Sequence, residues 1–489
     1  MKKVIIIGSG IAGLACAIRL KCEGHDVNVF EENNYSGGKM SELNASGFRF
    51  DMGPSLFTMP NLIEDLFTLS NIRIEKFFKY KKKENICNYF YDDGTFFIAP
   101  SDKKQFAKRA SEIFNTKENI ISKYLNKSKK KYDLIKTVFL EKSLHKTENY
   151  LSKETVKAVL NFFSLDINKS LATLNESTFS NKKLAQYFNR FSTYNGSSPY
   201  KTPGIMSIIP HLEHHFGTYF PIGGMKQIPN ALYNLAKELG VKFNFNCKVE
   251  KIIIENKIAN GLLVNSKVEN ADIVISNADI NYTYKNLIKE QKKPLKVLKQ
   301  EKSSSALIFF WGVNKSFKNM DLHNVFFTND YKKEFDNIFV KKIFSDDPTI
   351  YINITSKEKC DDAPTGHENW FTMINVPNNI GQDWDLIISD SRKKIIEKIN
   401  KNLKTDISKY IIYESILDPR KIESNTNSEN GALYGSSSNS KFSAFLRHPN
   451  YSKEIKNLYF CGGSVHPGGG IPLCLMSGKI VADLIKKDY

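Results

Sequence analysis

Three glycines, Gly8, Gly10 and Gly13, stand between an apolar run and a helix-spaced one near the start of the chain. In a Gly-x-Gly-x-x-Gly turn the first glycine makes the tight bend, the second lets backbone approach a pyrophosphate, and the third lets helix and strand pack closely. Ile11 and Ala12 then open the helix, whose unpaired N–H groups and positive dipole end suit phosphate. Glu31 lies eighteen residues beyond Gly13 (31 minus 13), at the end of the next alternating segment. A carboxylate there accepts hydrogen bonds from ribose hydroxyls and repels a 2′-phosphate, so these residues suit a dinucleotide other than NADP.

Two more glycine groups accompany the first. Gly37-Gly38-Lys39 follows Glu31 within a few residues, and a turn containing Gly462, Gly463 and Gly470-Ile471-Pro472 repeats the order strand, glycine turn, helix near the other terminus. A glycine-dense loop alone is an ordinary tight turn; its pairing with a complete dinucleotide pattern is not. The densest titratable cluster is His211-Leu212-Glu213-His214-His215, where positions 211, 214 and 215 could share one helical face. Three of nine histidines invite a metal reading, but no fourth ligand accompanies them and no metal is expected.

The elements that must position these residues are legible in the hydrophobic periodicity. Val4–Ile7 reads as a buried strand, Ile11–Leu20 as a helix stopping near Gly24, and Asp26–Phe30 as a second strand. Together they form a βαβ unit with parallel strands. From about Lys103 to Leu184 the spacing is mostly helical, with a basic stretch at Lys127–Lys131. A helix from Ile228 to Leu239 and strand-like runs at 241–245, 249–255, 261–264 and 273–276 restore the α/β order. Ser303–Val313 reads as another buried strand, a polar loop spans Ser424–Ser440, and Leu458–Phe460 with a helix from Ile471 to about Lys486 ends the chain. Such an order implies two domains that interleave along the sequence.

Bulk composition narrows the classes. The 489 residues, 41% hydrophobic, can bury a sizeable core and are not those of a disordered chain. No apolar run approaches a membrane span, and no cleavable signal pattern opens the sequence, so an intracellular protein is expected. Seven scattered cysteines suggest neither a disulfide framework nor a zinc site. The net charge of +18 is carried overwhelmingly by lysine in a chain also rich in Asn and Ile, as compositional bias would produce. No nucleic-acid-binding signature accompanies it, and no nucleic-acid partner is expected.

At Gly37-Gly38-Lys39 the chain resembles the flavin amine oxidase and carotenoid desaturase superfamily, in which Gly-Gly-Arg/Lys approaches the flavin phosphates; Lys39 stands where Arg is commoner. The resemblance runs the whole chain. It includes Asp51-Met52-Gly53-Pro54-Ser55, Phe220-Pro221-Ile222-Gly223-Gly224-Met225, and the stretch from Asn457 to Pro472, which is similar to the carboxyl-terminal desaturase signature. The segments Gly53–Pro60 and Thr193–Tyr200 look more like the branch acting as 1-hydroxycarotenoid 3,4-desaturases than like phytoene desaturases.

What the resemblance implies is an α/β fold. A Rossmann-like FAD-binding domain of the glutathione-reductase type (1–95, 216–290 and 441–489) would interleave with a mixed α+β substrate domain (291–440) carrying a helical, membrane-facing insertion (96–215). FAD contacts are expected at Gly8, Gly10, Ile11, Ala12, Gly13, Glu31, Gly37, Gly38, Lys39, Gly53, Pro54, Ser55, Val249, Gly462, Gly463, Gly470, Ile471 and Pro472. The implied reaction is desaturation of a carotenoid with hydride transfer to the flavin, and the electrons would pass on to oxygen or a quinone. A C40 substrate must come from a membrane, so the protein is expected in the cytoplasm, held peripherally on the inner face of the cell membrane. The insertion's aromatics, Phe162, Phe163, Tyr187 and Phe188, would line an apolar tunnel or be ordinary core.

Other readings of the same residues are a desaturase of phytoene or neurosporene, a flavin amine oxidase, a redox-neutral carotenoid isomerase, and a non-catalytic isoprenoid escort. The escort would be expected to lose part of the flavin pattern, which is complete here. No residue is singled out as the catalytic base. His466, in the carboxyl-terminal loop, would orient the cofactor or move a proton; Arg190 would meet a substrate hydroxyl or pair with an acid; His211 would serve a structural, channel or base role.

Overall fold

The computed structural model describes residues 1–146, 161 and 165–489. Phe162 and Phe163 therefore lie outside the described residues. Lys3–Ile7, four of whose five residues are buried, is the centre of a five-stranded sheet because it is apolar on both faces. The order is Leu458–Phe460, Ile273–Ser276, Lys3–Ile7, Asp26–Phe30, Lys242–Asn244, and every pairing is parallel. Helices Ile11–Cys22, Gln227–Glu238 and Ile471–Asp488 share a core cluster with this sheet, and an antiparallel ribbon of Val249–Glu255, Ile258–Val264 and Lys267–Asn270 packs against it. The first and last helices cross at Gly478, where an added Cβ would stand 2.6 Å from the Ala12 carbonyl oxygen. The two ends of the chain thus meet in one layer.

A second sheet has seven strands in the order Ile411–Leu417, Ser305–Val313, Glu368–Val376, Ile350–Ile354, His323–Phe326, Asn85–Phe90, Phe96–Pro100. All pairings are antiparallel except His323–Phe326 with Asn85–Phe90. Asn85–Phe90 falls in the first segment assigned from sequence to the cofactor domain, and Phe96–Pro100 in the segment read as helical; both instead complete this second sheet. The cause is burial: five of the six residues of Asn85–Phe90 are buried, so no alternation marks the strand.

Helices Lys103–Phe114, Glu118–Ile135, Leu171–Thr178 and Lys182–Asn189 stand over one side of that sheet. Tyr187 and Phe188 are fully buried among Phe106, Tyr124 and Phe179. No described helix is long and apolar enough to cross a membrane.

Candidate active site

Gly8 has φ +91, a conformation in which glycine is favoured, and its N–H donates to the Phe30 carbonyl at 2.7 Å, joining the turn to the neighbouring strand. A Cβ on Gly13 would lie 2.4 Å from the Gly8 oxygen, and one on Gly10 would lie 2.9 Å from Asn277 Nδ2. Asn277, missed in the sequence, ends the strand beside Lys3–Ile7; its Nδ2 donates to the carbonyls of Gly8 at 3.1 Å and Gly10 at 3.4 Å. Only the parallel pairing of Ile273–Ser276 with Lys3–Ile7 brings it there, so no local pattern could have marked it.

Glu31 is buried, and its two oxygens accept from the Ser9 N–H and hydroxyl and from the Asn33 N–H and side-chain amide, all at 2.7–2.9 Å. Gly37 has φ +112 and packs on Pro229, while Gly53 lies so near the Lys39 carbonyl that a Cβ would stand 2.0 Å from its oxygen. Lys39 Nζ donates to the carbonyls of Leu433 at 3.0 Å and Ala432 at 3.3 Å; burial pushes its pKa down and Asp279 opposes the shift. Asp51 accepts from the Met225 and Lys226 N–H groups and pairs with Arg49, so the Asp-Met-Gly-Pro and Ile-Gly-Gly-Met segments are stitched together.

The carboxyl-terminal loop closes the same space. Gly470, at φ +105, begins helix Ile471–Asp488, and Pro472 occupies its first turn. Neither this helix nor Ile11–Cys22 has a side-chain cap or a first-turn acid, which leaves both N-termini open to an anion. Between them lies a cavity of about 740 Å³ whose wall includes every residue expected to contact FAD except Gly13, which instead packs helix on turn. Glycine-cleared backbone, two uncapped helix N-termini and a buried carboxylate at the end of the second strand fit a dinucleotide cofactor.

The cavity continues from these loops between the seven-stranded sheet and the helical region. Its wall there is apolar: Ile135, Phe139, Leu140, Ile208 and Phe445 on one side, Ile308, Phe371 and Met373 on another. Among the polar groups on the wall is Arg190, which lies 3.5 Å from both Glu213 oxygens and 3.3 Å from the Tyr194 hydroxyl and sits over the rings of Tyr89, Phe191 and Tyr194. The Tyr194 hydroxyl also donates to Glu213. Another group is Ser55, Tyr351 and His323, linked by hydrogen bonds of 2.7 Å.

His466 is on the wall, with Nε2 donating to the Lys142 carbonyl at 2.9 Å, and burial holds its pKa down to about 3. His211 is not on the wall. The short helix Ile209–His211 passes into a π turn, Leu212–Phe216, so of the three histidines expected on one helical face His211 and His215 stay together and His214 turns away. His211 and His215 stack at 4.4 Å beside Tyr132 and Phe216, whereas His214 Nε2 bonds the Tyr187 hydroxyl at 2.9 Å. Among the described residues, no group of three or more His, Cys, Asp or Glu side chains is placed to hold a metal ion.

Comparison with known proteins bears on this site. A family model described as flavin-containing amine oxidoreductase matches residues 11–486. The chain is 54% identical over 486 residues to a 1-hydroxycarotenoid 3,4-desaturase of a Flavobacterium species, covering 99% of both chains. It is 32% identical over 491 residues to a 4,4′-diaponeurosporene oxygenase of Staphylococcus aureus, covering 99% of this chain and 98% of that one. Among solved structures, putrescine oxidase bound to putrescine superposes with a TM-score of 0.63 at 14% identity over 99% of each chain, a likeness of fold.

Proposed function

The chain belongs to the flavin-containing amine oxidoreductase family and is an FAD-dependent oxidoreductase, and from that premise we propose that it introduces the 3,4 double bond of a 1-hydroxycarotenoid. The observation that carries this reading is 54% identity, end to end, with a protein of that named activity. An apolar cavity running away from the glycine loops is what a polyene requires.

Bound FAD supplies an oxidised ring able to accept a hydride. The protein's part is placement. Gly8, Gly10 and the two helix N-termini would receive the phosphates, and Glu31 would face the ribose. Gly462, Gly463 and Gly470 would let backbone approach the ring side. The apolar walls exclude water and hold one C–C bond of the chain in register with the cofactor, which converts an encounter into an oriented reaction. Of the two hydrogens lost from C3 and C4 of the substrate, one would leave as the hydride that FAD accepts and the other as a proton released to water. Oxygen or a membrane quinone would take the electrons onward.

We further propose a peripheral position on the cytoplasmic face of the cell membrane. Helix Glu118–Ile135 supports it: Tyr132 and Ile135 face the cavity while Lys123, Lys127 and Lys130 are exposed, suited to anionic headgroups. Sedimentation with vesicles tests the point. Binding to anionic vesicles that weakens with salt is expected, and equal failure to bind anionic and neutral vesicles contradicts it.

Expressing the chain in cells that accumulate a 1-hydroxycarotenoid tests the reaction. The expected product absorbs at longer wavelength by one added conjugated double bond. Conversion of phytoene with no change in the hydroxylated carotenoid would overturn the assignment.

A further inference from the structure

A hydroxyl carried into an apolar cavity needs a partner there, because burial without a hydrogen bond is penalised. Arg190 is already engaged by Glu213 and Tyr194. The cluster Ser55–Tyr351–His323 is different, because the tautomer that its neighbour Asn353 favours leaves one atom unspent.

Asn353 Nδ2 lies 3.2 Å from His323 Nδ1 and 2.9 Å from the Leu322 carbonyl, which fixes the amide's orientation. An amide nitrogen only donates, so Asn353 favours the tautomer with the hydrogen on Nε2, in which the single Nδ1 lone pair is shared between Asn353 at 3.2 Å and the Tyr351 hydroxyl at 2.7 Å. Nε2 has no protein partner in either tautomer, so Asn353 decides the assignment. Burial keeps the ring neutral, with its pKa lowered to about 3. In that tautomer Tyr351 gives its single hydrogen to Nδ1 at 2.7 Å, and Ser55 gives its own to Tyr351 Oη at 2.7 Å. Ser55 Oγ remains on the cavity wall with acceptor capacity and no hydrogen to offer.

Position agrees with this order. Ser55 follows Gly53-Pro54, and Gly53 abuts the Lys39 carbonyl, so the serine lies on the cofactor side of the cavity. In the substrate class proposed above, the hydroxyl is on C1 and the oxidised bond begins at C3. A hydroxyl so near the reacting carbons must also lie on the cofactor side.

We propose that Ser55 Oγ, held as an acceptor by Tyr351 and His323, receives the hydrogen bond of the substrate's C1 hydroxyl and sets the preference for hydroxylated polyenes. This rests on the substrate reading above. An acceptor selects an O–H and rejects an ether, which a donor would not do.

The test compares kcat/KM of the holoenzyme on three polyenes: the 1-hydroxycarotenoid, its 1-methoxy ether and the parent without oxygen. Wild type should favour the alcohol over the ether by about tenfold, the scale of one buried hydrogen bond. Ser55→Ala should bring that ratio near one through KM for the alcohol, and Ser55→Thr should retain it. Tyr351→Phe frees the serine hydrogen to donate, so the ether should gain on the alcohol severalfold. Far-UV circular dichroism and thermal melting report whether each variant is folded, and the tyrosine variant carries the test if Ser55→Ala is not. A ratio unchanged in the folded variants overturns the proposal alone. A wild-type enzyme that leaves the alcohol untouched overturns the substrate reading and the proposal with it.

Discussion

Gly13 and Gly24 separate the two things a glycine can do in this chain. A Cβ on Gly13 would meet the Gly8 oxygen at 2.4 Å, whereas Gly24, at φ +87, has nothing within 4 Å. Gly13→Val should therefore lose the cofactor, read as flavin absorbance per mole of purified protein. Gly24→Ala should keep it and cost only about 1 kcal/mol of stability for the left-handed backbone. The first effect was legible from spacing, because the glycine turn is a local pattern. Asn277 was not, since its contacts with Gly8 and Gly10 arise from strand pairing across the chain. Nor were the separate partners of His211 and His214, which a π turn redistributes.

At the scale of elements, the crossing of the first and last helices is the joint that brings the two glycine loops together. Gly478→Leu would push its side chain against the Ala12 carbonyl and the Cys16 N–H, at 2.6 and 3.0 Å from the Cβ position. A loss of about 1–3 kcal/mol is expected, with a lower melting temperature and weaker flavin retention. The βαβ unit and the terminal strand and helix were readable because alternation and helical spacing switch cleanly there. Much of the seven-stranded sheet was not. Glu368–Val376 is buried at seven of nine positions, and Asn85–Phe90 is nearly as enclosed, so neither shows the period of a half-exposed strand. Their membership depends on partners distant in sequence.

For the molecule as a whole, five buried histidines and the half-buried His145 set the response to acid. Burial lowers His211, His214, His323 and His466 to about 3, and His145 and His448 to about 4, from 6.5. Below 6.5 the unfolded chain binds protons that the folded one refuses, so stability should fall as pH drops from 6.5 toward 4. Glu334 acts in the opposite sense, because burial raises it from 4.5 to about 7. Between those values the folded state keeps a proton that the unfolded state has released, so this group loses stability as pH rises. Thermal melts across pH should show the histidine trend in wild type, and Glu334→Gln should gain on wild type as pH rises from 4.5 to 7. A melting temperature independent of pH between 6.5 and 4 would contradict the histidine assignment.

The glycine loops from both ends of the chain are placed to hold FAD at one end of a cavity whose far end is apolar. Mixing the purified flavoprotein with a 1-hydroxycarotenoid under anaerobic conditions, in a single turnover, tests it most directly. Bleaching of the flavin, matched mole for mole by the 3,4-desaturated product, is expected. Purified protein that carries no flavin, or flavin that stays oxidised while the carotenoid is unchanged, would contradict it.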